Sequence, residues 1–158
     1  MWTVGVISDT HGRVRPEALA ALAGADHIVH AGDVGAAEVL AALAAIAPVT
    51  AVRGNNDHGP WASRLPEATT VRVGDVRLHV LHDVKALALD PHTVDVVIAG
   101  HSHRPVNERR DGVLYFNPGS AGPRRFTLPI AVGRLRIANA TVSADVCLLN
   151  PASSSRRA

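Results

Sequence analysis

Three apolar runs in the first third of the chain each break off at a short polar tip, and a helix-forming stretch separates each run from the next. Trp2-Thr3-Val4-Gly5-Val6-Ile7 leads into Ser8-Asp9-Thr10-His11-Gly12. His27-Ile28-Val29-His30 leads into Ala31-Gly32-Asp33, and Val49-Thr50-Ala51-Val52 into Gly54-Asn55-Asn56-Asp57. Between them, residues 16–23 carry Pro16 where a first helical turn tolerates it and Gly24 as a stop. Residues 36–47 form an Ala/Leu helix ended by Pro48. Strand–helix alternation of this kind calls for a parallel sheet with right-handed crossovers. In such sheets the functional loops gather beyond the carboxyl ends of the strands, which is where all three tips fall.

The texture then changes. Residues 69–73 and 76–81 flank Gly74-Asp75 as a β-hairpin whose second arm ends at His82. Residues 94–99 form a strand ending at Gly100-His101-Ser102-His103, 105–109 and 113–116 bracket Asp111-Gly112, and 130–137 and 141–149 make a last antiparallel pair. The simplest architecture using all of this is α/β, a two-sheet β-sandwich with helices outside. The length of 158 residues predicts one domain over 1–150 and a short polar tail over 151–158, expected to be disordered. An apolar fraction of 47% excludes a disordered chain, and only five aromatic residues leave the core to Val, Leu, Ile and Ala.

Several function classes drop out. The net charge of +2 and the lack of an aromatic series argue against a nucleic-acid partner. Cys147 is the single cysteine, which excludes an internal disulfide and a thiolate metal cluster; its neighbours Val146, Leu148 and Leu149 mark it as strand packing. The start of the chain runs straight into a strand, with no room for a signal peptide. The longest uncharged stretch, 39–52, is too short to span a bilayer and contains Pro48. A soluble cytoplasmic protein without a membrane partner is expected. A homo-oligomer remains open, because an interface patch has the same pattern as core.

The strand ends supply Asp9, His11, Asp33, Asn55, His82, His101 and His103. Carboxylate, imidazole and amide donors without thiolates suit divalent ions of intermediate hardness, Mn²⁺ foremost, with Ni²⁺, Fe²⁺ or Zn²⁺ as alternatives. Seven ligands are too many for one ion. They suit two ions about 3.5–4 Å apart sharing a carboxylate, the arrangement used for hydrolysis at phosphorus. Of the remaining histidines, His30 is either a support for Asp33 or a packed strand residue, and His27, His79 and His92 read as structural or exposed. Arg124-Arg125 reads as a solvated basic pair rather than a contact for a substrate phosphate or a neighbouring subunit.

The ordered set Asp9-x-His11, Gly32-Asp33, Gly54-Asn55-x-Asp57, His82 and Gly100-His101-x-His103 resembles the calcineurin-like metallophosphoesterase family. Asn117-Pro118-Gly119-Ser120 is similar to an element of its small bacterial and archaeal phosphodiesterase branch, and the resemblance runs over roughly residues 1–149. It implies a four-layer α/β/β/α fold. It also implies that Asp9, His11 and His103 hold one metal, that Asn55, His82 and His101 hold a second, and that Asp33 bridges them. The implied activity is a dinuclear, metal-dependent phosphodiesterase acting on a small-molecule phosphodiester through a hydroxide between the ions. Two positions depart from the family pattern. Many members carry His after the ligand Asn as an acid for the leaving group, whereas this chain has Asn56, leaving His58, Asp57 or water to substitute. Asp83 stands where many members have Gly, either to orient His82 or to cap a helix starting near Val84. A phosphomonoesterase or nuclease would share the site, and a nuclease would need a basic groove beyond Arg109-Arg110 and Arg124-Arg125. A non-catalytic interaction module on the same fold is the alternative of a different class.

Overall fold

The computed structural model describes residues 1–125 and 127–149, so the tail expected over 151–158 lies outside the described residues. In chain order the elements are β1 (Trp2–Ile7), α1 (Pro16–Leu22), β2 (His27–His30), α2 (Ala37–Ala44), β3 (Val49–Ala51), α3 (Pro60–Ser63), β4 (Ala68–Val73) and β5 (Val76–Leu81). They continue with β6 (Val96–Ile98), β7 (Val106–Arg110), β8 (Val113–Asn117), β9 (Ala131–Ala138) and β10 (Thr141–Leu148). One sheet runs β10-β9-β1-β2-β3 and the other β4-β5-β6-β8-β7, five strands each. In the first, β1 is parallel to β2 with Val6 opposite Val29, and antiparallel to β9 with Val6 opposite Gly133. In the second, β6 lies parallel to both β5 and β8.

The alternation of side chains along each strand builds the sandwich. Val4 and Val6 of β1, Val29 of β2 and Leu135 and Ile137 of β9 face Leu78 and Val80 of β5, Val96 and Ile98 of β6 and Leu114 and Phe116 of β8, all buried in one cluster. With so few aromatics, Phe116 is the largest fully buried side chain among the described residues, and the opposing sheet makes room for it at Gly133. A Cβ there would stand 2.3 Å from the Phe116 ring. The alternate residues of the first sheet, Ile7, Ile28 and Val132, face outward and meet Leu22 of α1 and Val39 and Leu43 of α2.

The outer face of the second sheet is covered differently. Leu81, Val97 and Val113 are overlaid by Leu87 and Leu89 from an irregular segment containing two 3₁₀ turns, Val84–Ala86 and Pro91–Thr93. Asp83 and Asp90 each accept a backbone N–H two residues on, which starts a tight turn but gives no apolar 3.6 period to extend it. The flanking layer on this side is therefore thin. The single turn of α3, absent from the sequence-based reading, is too short to show a period; Gly59 in the left-handed region and Pro60 at the first helical position create it. Along one margin, Asn107 and Arg109 of β7 donate to the Ala144 and Val142 carbonyls of β10, tying the two sheet edges together. Arg109 and Arg110 are thus engaged, the latter with Glu108, rather than lining a basic groove. Among the described residues no helix is long and apolar enough to cross a membrane.

The fit of Phe116 against Gly133 makes a packing prediction. Phe116→Ala should cost about 3–5 kcal/mol in urea denaturation by leaving a cavity, and Gly133→Ala about 1–3 kcal/mol by overpacking. Combining Gly133→Ala with Phe116→Leu should cost less than the sum of the two single changes, because the smaller side chain vacates the space that the new methyl needs. Additive costs would mean that the two sites do not share that space.

Candidate metal centre

The five loop tips predicted to converge do so at one end of the sandwich, and the backbone is bent to bring them there. Among the described residues, seven non-glycine positions have φ in the left-handed region, and five of them are Asp9, His11, Asp33, His101 and His103, with φ between 49° and 71°. The other two, Asp111 and Asn139, sit in hairpin turns. Asp and His enter this region more readily than branched residues, but at about 1–3 kcal/mol each the conformation must be over-determined by its surroundings. Part of that determination is a backbone zipper: Asp9 N–H donates to Gly32 O (3.0 Å), His11 N–H to Asp33 O (2.9 Å) and Gly12 N–H to Val34 O (2.8 Å). The rest is close approach. A Cβ on Gly54 would stand 2.1 Å from Asp33 N, and one on Gly100 2.0 Å from Ser8 Oγ.

Asp9 is fully buried at the centre. Its Oδ2 accepts from Ser8 Oγ (2.6 Å) and from His101 N–H (3.0 Å). Its Oδ1 makes no hydrogen bond; it lies 3.3 Å from His103 Nε2 and 3.9 Å from both His11 Nε2 and His82 Nε2, without the alignment of one. Asp33 accepts from Asn56 twice, from the backbone N–H at Oδ1 (2.9 Å) and from Nδ2 at Oδ2 (3.1 Å). Its Oδ2 also stands 3.3 Å from His82 Nε2 and 3.8 Å from His11 Nε2. Because His82 Nδ1 donates to Ala31 O (2.8 Å), His82 Nε2 is turned toward these carboxylates. His101 Nδ1 comes within 3.3 Å of the same Nε2.

The donor atoms form two overlapping groups, Asp9/His11/His103 and Asp9/Asp33/His82, with all ligand atoms of each within 4.8 Å of one another. Asp9 is common to both groups, while Asp33 faces one imidazole from each. Asn55 and His101 stand beside them, on the wall of an open cavity that they share with His82 and Arg53. Among the described residues, the buried side-chain N and O atoms with no hydrogen-bond partner are Asp9 Oδ1, His11 Nε2 and His103 Nδ1. Such atoms are costly in isolation, and a divalent cation held by Asp9 Oδ1 and His11 Nε2, with His103 Nε2 3.3 Å from the same oxygen, would relieve the first two. The donor types fit such an ion.

The electrostatics agree. Burial works against the Asp33 charge, yet the adjoining His82 and the two Asn56 donors hold its carboxyl well below the usual range. Burial likewise opposes the charge on Asp9, but His103, Ser8 and His82 lower its pKa overall. Burial disfavours a charged His82, while Asp33, the Ala31 carbonyl and Asp9 more than offset this and raise its pKa. Both carboxylates are thus kept ionised in a buried place.

The remaining candidates fall into supporting positions. Asp57 is buried and accepts from three backbone groups, Val34, Gly35 and Gly54 N–H, so it ties the Asp33 loop to the Asn55 loop. Asn56 clamps Asp33, and His58 is exposed. Asp83 caps its turn through Lys85 N–H (3.0 Å), and its other oxygen faces His101 Nε2 at 3.8 Å rather than His82. Asn117 Nδ2 donates to Gly100 O (3.0 Å) and Ser120 Oγ to Asp9 O (3.1 Å), so the 117–120 turn fastens the Asp9 and His101 loops. Arg124 and Arg125 are exposed. His27 and His79 are paired with Thr50 and Thr70, and His92 with Asp90.

His30, left open by the sequence, is fully buried and fixed in one tautomer. Its Nδ1 accepts from Gly32 N–H (3.1 Å), so Nε2 carries the proton and donates to Thr10 Oγ1 (3.0 Å), which in turn donates to Val34 O (2.7 Å). This relay, together with Ser8 against Asp9, was not foreseen. The available signal was a polar residue at the buried end of each strand, where a partner is obligatory.

The neutral His30 gives a pH prediction. Burial, partly offset by Asp9, Asp57 and Asp33, pushes its pKa from 6.5 down to about 4. Between those values the unfolded chain takes up a proton that the folded chain refuses. The stability contributed by the neutral ring is therefore complete above pH 6.5 and falls as pH drops toward 4, by roughly 3 kcal/mol. Urea denaturation of the chelator-treated protein from pH 7 to 4 should show a flatter profile for His30→Gln than for the unaltered chain. Parallel profiles would remove the ring from the account.

Comparison with known proteins agrees with this geometry. Residues 2–140 match the calcineurin-like phosphoesterase superfamily domain. A probable metallophosphoesterase of Methanothermobacter thermautotrophicus is 35% identical over 157 residues, covering 90% of this chain and 90% of that one. Among solved structures, YfcE, a phosphoesterase from E. coli, superposes with a TM-score of 0.68 at 28% identity over 85% of this chain and 88% of its own. Wild-type Vps29 from Entamoeba histolytica, complexed with Zn²⁺, superposes with a TM-score of 0.73 at 22% identity over 94% of this chain and 99% of its own, a likeness of fold. A match over nearly the whole length, to a family whose fold is the one described above, decides the matter: this chain belongs to the calcineurin-like phosphoesterase superfamily.

Proposed function

We propose that the chain is a phosphodiesterase working with two divalent ions, manganese foremost, held by the converged loop tips. The observation that carries this reading is the pair of unpartnered buried atoms Asp9 Oδ1 and His11 Nε2, with His103 Nε2 and the Asp33 and His82 donors beside them. In this reading Asp9, His11 and His103 hold one ion, Asn55, His82 and His101 the other, and Asp33 stands between the two. Bound there, the ions would lower the pKa of a water and draw charge from the phosphoryl oxygens.

The chain's own residues prepare the site. Ala31 O accepts from His82 Nδ1 and so turns Nε2 toward the carboxylates, and Asn56 holds both Asp33 oxygens in place. The Asp57 carboxylate is committed to three amides, and position 56 carries no imidazole. The leaving group is therefore left to depart largely on its own stability, with exposed His58 or solvent as proton source. A small-molecule diester and a cytoplasmic location complete the reading. The Vps29 likeness motivates the alternative of a scaffold, but all seven candidate ligands are present here, which favours turnover.

Loading with Mn²⁺ followed by desalting should leave two ions per chain. Asp33→Asn should lower turnover of an aryl phosphodiester by more than ~10²-fold by removing a charge that the ions need. Asn55→Ala should lower it less and recover with excess Mn²⁺. A stoichiometry that never exceeds one would sink the two-ion model, and a folded, metal-loaded chain that turns over no phosphoester would favour the scaffold. An aryl diester should also be cleaved much faster than an alkyl diester, since general-acid help is worth ~10²–10⁴ in rate. Equal rates would show that leaving-group protonation is supplied after all.

A further inference from the structure

The candidate centre is flanked by two unlike cavities that meet at His101 and Asp83. One, of about 470 Å³, is walled by Arg53, Asn55, Glu67 and His82. The other, of about 190 Å³, lies on the outer face of the second sheet, where the covering layer is thin. Its lining is largely apolar: Val97 and Ala99 from the end of β6, Tyr115 from β8, Val106 from β7 and Val84 from the 3₁₀ turn. Among the charged residues on its wall, Arg110 lies 4.5 Å over the Tyr115 ring and is paired with Glu108, while Asp83 and exposed Lys85 stand on the side of the 3₁₀ turn. An apolar cavity of 150 Å³ suffices for a benzene ring. This one has space for a single ring and little more.

Resting on the phosphodiesterase reading, we propose that this apolar pocket is the subsite for one ester group of the substrate, a single uncharged ring. The polar cavity on the other side of His101 takes the second group. A phosphomonoester has only one organic arm and would leave one compartment unused. A diester with unlike arms, one compact and apolar and one polar, fills both. Position 83 has a part in this, since the Asp83-capped turn carries Val84 and forms the partition between the compartments.

Phenylphosphonate and methylphosphonate separate the ring from the phosphoryl group. Calorimetric titration of the metal-loaded chain should show the phenyl compound binding on the order of 10-fold more tightly, from burial of the ring. Val84→Trp, which fills the pocket at its mouth, should abolish that preference, and Tyr115→Ala should reduce it. Neither residue belongs to the centre, so methylphosphonate affinity should stay unchanged in both variants and report that they are folded. Equal affinity for the two phosphonates, or a phenyl preference that survives both changes, overturns the proposal. Turnover is measured separately. A phenyl preference lost in Val84→Trp, in a chain that hydrolyses no diester, supports the pocket while removing the phosphodiesterase reading. Diester hydrolysis without any phenyl preference does the reverse.

Discussion

Two ionised carboxylates, Asp9 and Asp33, are brought into a buried site around His82 Nε2, and most of the local structure exists to hold them there. Left alone they would repel each other and resist leaving water. They are kept in place by fixed donors: Ser8 and the His101 amide for Asp9, and Asn56 for Asp33. The loops that carry them are locked in turn by the backbone zipper, by the amide hub on Asp57 and by the His30–Thr10 relay. The donors occupy Asp9 Oδ2 and leave Oδ1 unpartnered, while Asn56 engages both Asp33 oxygens and leaves Oδ2 facing His82 and His11.

Strain and packing are connected through the same loops. The left-handed residues at the centre are stabilised by neighbours too close to tolerate a Cβ, as at Gly54 and Gly100, so the glycine of each strand-end motif is as much a part of the site as the ligand beside it. The sandwich supplies the rigid base. β1, β2 and β3 present three tips from the parallel part of one sheet, β5 and β6 present two from the other, and the Phe116–Gly133 contact helps to fix one sheet against the other.

The two sheets differ in what covers them, and this asymmetry gives the molecule its surface features. Ala-rich helices close the outer face of the first sheet. The second sheet has only capped 3₁₀ turns, which leave Tyr115 incompletely covered and an apolar pocket open beside His101. Weak helix formation between residues 83 and 95 is thus linked to an apolar recess next to the centre.

The sequence by itself determined the sheet alternation and the convergence of its tips. Hydrophobic period and turn residues are local signals, and in a parallel sheet the carboxyl ends of the strands must emerge together. Asp9, His11, Asp33, His82 and His103 were legible for that reason: each stands at the end of an apolar run, where topology allows few other placements. Tertiary structure alone decided what each neighbour does. Asn56, standing where many members carry the acid, and Asp57, read as a possible substitute for it, are adjacent in sequence yet diverge completely, one bonding Asp33 and the other three amides. Asp83 turned toward His101 rather than His82, and His30 became a neutral bridge between two loops. These roles depend on distances between segments 20 or more residues apart in most cases, and such distances follow from how the sheets pack, which no local pattern encodes.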